Sequence, residues 1–545
     1  MKRILLMTLT VIAVLSLSCK KLLNEDVKTQ ISNLYLDTPA GLEDGVRGSY
    51  SYLRNWYGGQ SSAWLNIFGT DEYQNGAADA TFPNYTANLN PANAIVRDVW
   101  NAMYLGINTC NAVIEAAPAI TGMDAALKNR RVAEVRFLRA HYYFLLVQQF
   151  GPLHISLKPT TEADNKATRS PVADVYKVII EDLNFAIANL SQTTTEYGRV
   201  TIPIAKHMLA KVYLTRAGGA AKQATDYDQA ASLAKDVIAN GGYKLVTDFS
   251  QLFAQPLTQN TENMFACQYS TSVVTGGFAS NTSCFQFTAG YELNGMIRDL
   301  ANGRPFGHFR LTDWMMNLYN KTADSRWEKT FKSVWFCNRP GTYSINNKTV
   351  TLKRGDTCIV AFDRELGAAE KAAKNYHVFT PSTYTAGQWP MNKKYMDSLR
   401  VGLNDASGKD FTIYRFAETY LIAAEALTMT GKQAEAAVLI NTLRERSIKT
   451  GATPAQTAAN RAAMQVTAAD MNLDFILDER ARELSGELTR WTDLVRTGKL
   501  IERVNKYNPV AKLTIKDFHI LRPIPQEQID RTFEGRTNFP QNAGY

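Results

Sequence analysis

Three glutamates one helical turn apart are the first candidates for acid–base chemistry or metal binding. Glu479, Glu483 and Glu487 lie in the stretch 474–500, whose apolar periodicity predicts a helix, so their carboxylates share one face. Closely spaced carboxylates suit general acid–base catalysis or a cation site. Arginines are interleaved three or four residues away, and opposite charges at that spacing stabilise a helix. We therefore interpret the segment as structural and predict no metal site.

Motifs for nucleophilic, metal or nucleotide chemistry do not occur in the sequence. The six histidines form neither H-E-x-x-H nor H-x-H, and His141 lies in an apolar stretch typical of the core. G-x-S-x-G, the P-loop and G-x-G-x-x-G are absent too. Glycosidase carboxylates come from distant positions, so a hydrolase stays an alternative. The sequence predicts a protein without catalysis and without a cofactor.

Aromatic residues in loops indicate a different chemistry, the binding of sugars. Sugar rings pack their C–H faces on aromatic rings, and their hydroxyls pair with Asn, Asp and Arg. Such residues are frequent in a first long loop, 58–91, and between 250 and 410. The predicted ligand-binding residues are Trp64, Asp71, Tyr73, Asn75, Tyr85, Tyr291, Arg304 and Trp389. Trp100, Trp314 and Trp491 occur in periodic segments and are predicted to be core residues.

The elements that must position these residues are mainly helices. Apolar spacing predicts helices over 36–57, 94–117, 132–151, 170–190, 202–218, 227–243, 411–431, 432–447 and 474–500. Alanines allow consecutive helices to approach closely, a pattern that resembles degenerate tetratricopeptide repeats. Between 250 and 410 the helical period fades, and KTVTLKR and CIVAFD predict short strands. The predicted fold class is mostly α, a helix-pair scaffold with a loop-rich insertion.

The N-terminus has the pattern of a lipoprotein signal. Met1-Lys2-Arg3 precedes an apolar run, 4–17, that is shorter than a membrane-spanning helix. The run ends in small residues just before Cys19, which we predict to be the lipidated residue; ordinary secretion with an incidental cysteine is the alternative. The predicted division is a signal peptide at 1–18, a lipidated tether at 19–35 and one domain at 36–545, with its scaffold at 36–250 and 410–545 and its insertion at 251–409.

Charge and cysteine usage exclude several classes of protein. The formal net charge is +9, yet no long Lys/Arg block occurs, so a nucleic-acid partner is not expected. The remaining cysteines, Cys110, Cys267, Cys284, Cys337 and Cys358, form no C-x-x-C motif. Cys337 and Cys358 bracket a loop, so they either pair in an oxidising compartment or stay buried thiols.

Five segments in order carry a family resemblance. They are EVRFLRAHYYFLLVQQFGPLHI, RFAETYLIAAEAL with INTLRERS, ILDERARELSGELTRWTDLVRTGKL, LRPIPQEQID and the closing FPQNAGY. Together with the lipoprotein signal they resemble the SusD/RagB family, with Ser485-Gly486 as a departure from an aromatic usual in that family. The resemblance implies about four tetratricopeptide-like helix pairs and a lipid-anchored protein of the Bacteroidota outer membrane, facing the cell exterior.

The resemblance also implies a function. Members bind a nutrient, usually an oligosaccharide, and form the lid of a TonB-dependent (SusC-like) outer-membrane transporter. The sequence therefore predicts a glycan-binding lipoprotein that captures an oligosaccharide and delivers it to such a transporter. The same scaffold binding peptides or glycopeptides, a surface glycoside hydrolase and a purely structural assembly subunit are the alternatives.

Overall fold

The computed structural model describes residues 33–162, 164–254, 259–272, 281–384 and 387–545. The predicted signal peptide, Cys19 and the tether up to residue 32 lie outside this range. Within it, no helix combines the length and apolarity that crossing a membrane requires.

Helices form most of the regular structure. They are α1 Asn33–Leu36, α2 Pro39–Ser51, α3 Gln60–Asn66, α4 Ala94–Ala116, α5 Ala125–Phe150, α6 Val172–Asn189, α7 Ile202–Ala217, α8 Asp226–Asn240, α9 Ser283–Gln286, α10 Asp313–Asn317, α11 Arg326–Thr330, α12 Ala368–Ala373, α13 Phe416–Met429, α14 Gln433–Glu445, α15 Pro454–Met464, α16 Leu473–Leu484, α17 Arg490–Arg496, α18 Leu500–Tyr507, α19 Gln526–Arg531 and α20 Gly535–Asn538.

The strands are short and form small, separate sheets. They are β1 Tyr73–Asn75, β2 Asn263–Cys267, β3 Phe309–Leu311, β4 Phe331–Lys332, β5 Val334–Phe336, β6 Gly341–Ile345, β7 Lys348–Leu352, β8 Thr357–Ala361, β9 His377–Phe379, β10 Met391–Asn392 and β11 Phe411–Arg415. The pairs β1–β3, β2–β11, β4–β10, β5–β8 and β6–β7 are antiparallel, and β8–β9 is parallel. Strands β7 and β8 are the two that the sequence predicts.

Four helix pairs make the scaffold, which confirms the predicted fold class. The pairs are α2 with α4, α5 with α6, α7 with α8, and α13 with α14, and each pair packs against the next. Alanines of α7, α8, α13 and α14 are buried together in one core, as expected where small residues let helices approach closely. A second, larger core joins scaffold residues such as Leu138 to insertion residues such as Trp335.

Helix α5 shows how the sequence determines a scaffold element. Asp124 accepts a hydrogen bond from the Leu127 backbone N–H at its start, and Gly151 ends it at a φ of +71°. Between Phe137 and Phe150 almost every side chain is buried. His141 is one of them, and it lies 2.9 Å from the hydroxyls of both Tyr57 and Tyr414. It is a satisfied core residue, as predicted.

The single helix predicted over 474–500 is wrong. The chain forms α16, leaves the helical path at Ser485, and resumes in α17. Gly486 and Leu488 have φ of +77° and +62°, which a continuous right-handed helix does not allow. The Ser485 hydroxyl lies 2.9 Å from the Tyr73 hydroxyl, so tertiary contacts stabilise the break.

Candidate ligand-binding surface

The first long loop and the insertion meet along the β1–β3 ladder. Asn75 pairs with Phe309 and Tyr73 with Leu311. Beyond the ladder, the Gly76 N–H donates to the His308 carbonyl at 2.8 Å, and the Ala77 N–H donates to the Gly307 carbonyl at 2.7 Å. Two regions that are more than 200 residues apart in sequence therefore form one surface.

Trp389 supports this surface from below. Its indole N–H donates to the Phe309 carbonyl at 3.1 Å, and its side chain is only 2% exposed. The backbone of the first loop covers the ring: a Cβ added to Gly76 would lie 2.6 Å from the Trp389 ring and 2.1 Å from the Gly307 oxygen. The expectation that Trp389 is an exposed platform for a sugar is corrected, because the two loops cover it.

The exposed part of the surface consists of Arg304, Phe306 and His308, all half-buried. The Arg304 guanidinium lies 4.9 Å from the centre of the Phe306 ring, and this ring lies 5.2 Å from the imidazole of His308. Trp64 contacts His308 edge to face at 5.7 Å but is itself buried. Of the predicted aromatic and cationic residues at this surface, Arg304 is half-buried while Trp64 and Trp389 are buried; the sequence analysis did not select Phe306 and His308, although both stand in the NGRPFGHF stretch with Arg304.

The charges at this surface favour a neutral ligand that carries hydroxyls. One cationic side chain of the protein, Arg304, can bind those hydroxyls. Burial lowers the pKa of His308 to about 4, so its imidazole is neutral at pH 7. Its Nδ1 is buried and has no hydrogen-bond partner in the described part of the chain. Arg304 stacks on Phe306 and Phe285, and no carboxylate pairs with it among the described residues. A ring face, a neutral imidazole and a free guanidinium are thus adjacent.

Asn75 lies at this surface, but its side-chain amide is hydrogen-bonded to the backbone of its own loop. The side-chain Nδ2 donates to the Ala78 carbonyl at 3.1 Å, and Oδ1 accepts from the Ala78 N–H at 3.1 Å. These two bonds fold the tip of the loop back on itself. The prediction of Asn75 as a direct ligand residue becomes one of a residue that shapes the loop.

The three predicted tyrosines are structural as well, since each is buried and its hydroxyl is hydrogen-bonded within the protein. Tyr73 contacts Ser485 at 2.9 Å and accepts from Asn392 at 3.1 Å. Tyr85 donates to the Gly69 carbonyl at 2.8 Å, and Tyr291 donates to the Gly303 carbonyl at 2.5 Å. Tyr291 thereby fixes the turn that carries Arg304. Their expected exposure is corrected: loops that pack on other loops bury their aromatics.

Asp71 is fully buried in an ion-pair cluster and is not available to a ligand. Its Oδ1 accepts from Arg490 Nε at 2.7 Å, and its Oδ2 accepts from Arg490 Nη2 and Arg503 Nε, each at 2.6 Å. Burial alone raises the pKa of Asp71, but the two guanidinium groups lower it overall, so the carboxylate stays charged. The neighbouring Glu72 differs, because burial raises its pKa to about 8.

The three glutamates of the 474–500 stretch are buried in a second ion-pair cluster. Glu479 and Glu483 bind Arg326 at 3.0 and 3.1 Å, and Glu487 binds Arg415 at 2.8 Å. Their main partners come from distant segments, while the spacing within the stretch supplies only the Glu479–Arg482 pair. No group of three or more His, Cys, Asp or Glu side chains in the described residues is arranged to hold a metal ion.

Comparisons with known proteins find one family. A sequence profile described as the SusD family matches residues 261–545, and one described as "Starch-binding associating with outer membrane" matches residues 50–214. A SusD-like protein of Bacteroides ovatus is 29% identical over 279 residues, which is 47% of this chain and 47% of that protein. The chain thus spans about half the length of that relative.

Longer similarities extend over nearly the whole chain. SusD-like protein P2 of Formosa agariphila is 24% identical over 555 residues and 99% of both chains. The solved structure of a laminarin-binding SusD-like protein has 23% sequence identity and superimposes with a TM-score of 0.69 over 93% of this chain and 100% of that one. At this identity the likeness shows the fold. With the family profile covering more than half of the residues, the chain belongs to the SusD family.

Proposed function

We propose that this protein binds an oligosaccharide on the surface formed by Arg304, Phe306 and His308. The observation that carries the proposal is the meeting of the first long loop with the insertion, which leaves one aromatic ring half-exposed beside an unpaired guanidinium. A sugar ring presents a C–H face for Phe306 and hydroxyls for Arg304 and His308. The relatives support this ligand class, since one profile is described as starch-binding and one neighbour as laminarin-binding.

Capture without catalysis is the proposed mode of action. Two adjacent carboxyls with divergent pKa values, Asp71 and Glu72, do occur in the first loop. Both are buried away from the surface, so water and a glycosidic bond have no access to them. The buried aromatics beneath the surface hold Phe306 and Arg304 in place, which lowers the ordering cost of binding.

Attachment and delivery complete the proposal. Cys19 would carry the lipid, residues 19–35 would tether a single domain to the outer membrane with its face outward, and the scaffold would dock on a TonB-dependent transporter. The profile description "associating with outer membrane" supports the location. Mass spectrometry of the mature N-terminus tests the anchor: an unmodified N-terminus, or cleavage elsewhere, would exclude lipidation at Cys19.

Calorimetry of residues 20–545 against laminarin, starch and peptide panels tests the ligand and the surface. Phe306→Ala and Arg304→Ala should each weaken glycan binding by about tenfold or more, equivalent to about 1.4 kcal/mol. Phe533→Ala, which removes an exposed phenylalanine on the C-terminal segment, should bind like wild type. Glycan binding that is unchanged in both surface variants would exclude this surface, and binding of peptides alone would exclude the glycan.

Gly76→Ala tests the contact between the loops. The new Cβ would lie within 2.1 Å of the Gly307 oxygen, so the loop must lift away from the insertion. We expect weaker glycan binding, because Phe306 and His308 lose their support. Gly48→Ala is the matched control, since a Cβ there meets nothing within 4 Å. Equal affinities for the two variants would refute the supporting role of the loop.

A further inference from the structure

A second open cleft, of about 360 Å³, lies at the other end of the β1–β3 ladder. It is formed by α10, which follows β3, and by the end of α18 with the residues after it. The first surface adjoins the Asn75–Phe309 end of the ladder, whereas Trp314 comes three residues after Leu311 at the opposite end. The two are therefore separate places on the molecule.

A stacked pair of aromatic rings lines this cleft. The rings of Trp314 and Tyr507 are 4.9 Å apart with an angle of 28° between their planes, and both are half-buried. Trp314, which the sequence predicts to be a core residue, packs against the main core but is only half-buried, because it also lines this cleft. The Trp314 indole N–H is free of hydrogen bonds to the described residues, so it can donate to a ligand.

Buried ion pairs hold the two rings in position. The Arg503 guanidinium lies 4.8 Å from the centre of the Trp314 ring and 5.3 Å from that of Tyr507, and Arg490 lies 5.4 Å from Trp314. Both arginines bind Asp71, and Arg503 also binds Asp474 at 3.1 Å. An aromatic pair fixed in this way loses little conformational entropy when a ligand packs on it.

Polar groups of both kinds surround the rings. Asp313 is an exposed acceptor, and Asn317 donates to the Asp313 carbonyl at 2.9 Å, which leaves its amide oxygen to accept. Lys512 lines the opposite side as a donor, while the Lys506 ammonium lies 4.9 Å from the centre of the Tyr507 ring. Sugar hydroxyls both donate and accept, so this mixture of acceptors and donors fits a neutral sugar.

We propose that the Trp314–Tyr507 cleft is a second carbohydrate-binding site that takes a neutral pyranose unit. The proposal rests on the proposed function, since it takes the ligand class from there. Two sites on one chain would hold a long glycan more tightly than a short one, because the second contact becomes intramolecular. The second site would thus select polymers over short fragments.

Affinity electrophoresis and calorimetry with laminarin and its hexasaccharide test this proposal. Tyr507→Ala should weaken polymer binding by about tenfold, and combining it with Phe306→Ala should abolish the binding that remains in Phe306→Ala alone. Tyr420→Ala, which removes a half-buried tyrosine on the scaffold helix α13, should have no effect. Thermal unfolding shows whether each variant is folded.

A second variant leaves both aromatic rings in place and so tests the cleft without removing a packed side chain. Asp313→Ala combined with Lys512→Ala removes two polar groups without touching the rings, and we expect a several-fold loss of polymer affinity. Wild-type affinity in both Tyr507→Ala and this double variant, while Phe306→Ala weakens binding, would overturn the second site and leave the proposed function intact. A wild-type protein that binds no glycan would overturn both.

Discussion

Asp71→Asn tests whether Asp71, a predicted ligand residue that the structure buries, has a structural role or a ligand role. The wild-type carboxylate accepts three charge-assisted hydrogen bonds of 2.6–2.7 Å from Arg490 and Arg503. In the variant, the amide oxygen can still accept from a guanidinium but the amide NH2 cannot, and Arg490 otherwise has the Leu477 carbonyl at 2.6 Å and a 3.6 Å approach to Glu72. An uncompensated charge in the interior follows, and breaking such a pair costs about 3–5 kcal/mol.

The expected result is a loss of stability with little direct loss of binding. For a chain of about 500 ordered residues, that cost corresponds to a fall in Tm of about 3–5 °C. Differential scanning calorimetry measures it, and Asp405→Asn is the control, because Asp405 is exposed. Calorimetric titration with glycan well below Tm gives the affinity at the first surface. An unchanged Tm with lost binding at that surface would refute the structural role and restore Asp71 as a ligand residue.

Two further predictions concern acid stability and thiol reactivity. Burial opposes ionisation of Glu483, but Arg446, Arg415 and Arg326 lower its pKa to about 2, so its stabilising effect is complete above about pH 4.5 and lost as the pH falls towards about 2. Urea titrations should therefore show Glu483→Gln to be less stable than wild type at pH 7, with the difference shrinking over that interval; a constant difference would contradict this. A thiol reagent should not react with native residues 20–545, because the five cysteines of the described residues are buried as free thiols, and it should react with all five in denaturant; missing reactivity in denaturant would indicate a disulfide. The thiols concerned are Cys110, Cys267, Cys284, Cys337 and Cys358.

The scaffold could be predicted because its signals are local. The near-complete burial of α5 and the alanines of α13 are visible in consecutive residues, and the helix pairs follow from short connections. The break after α16 could not be predicted from periodicity, because Leu484, Leu488 and Trp491 continue the apolar stripe across it. Ser485-Gly486 was the available signal: the glycine adopts a positive φ, and the serine contacts Tyr73 from a segment more than 400 residues away.

The proposed ligand surface is harder to predict, because the exposure of a side chain depends on which loop covers which. The residues next to Trp389 in sequence have the composition of an exposed loop. The first loop nevertheless covers the Trp389 ring. Periodicity predicts Trp314 to be a core residue, but α10 has only five residues and fully buries only Met315 and Met316. Phe306 stands in the NGRPFGHF stretch, which also contains the predicted residue Arg304. Composition located the segments, and the contacts between the segments decided which side chains face outward.

Asp71 and the three glutamates, which the sequence offers as candidates for ligand binding or catalysis, are held in buried ion pairs. Asp71 connects the two surfaces physically: it precedes the strand that carries Asn75 to the first surface, and through Arg490 and Arg503 it supports the Trp314–Tyr507 pair at the second. Buried ion pairs of this kind contribute little net stability compared with apolar packing, but they specify geometry, because each guanidinium has few positions that satisfy it. The proposed binding of sugars on aromatic rings needs such specification, since a displaced ring loses the C–H contacts that a flat sugar face offers.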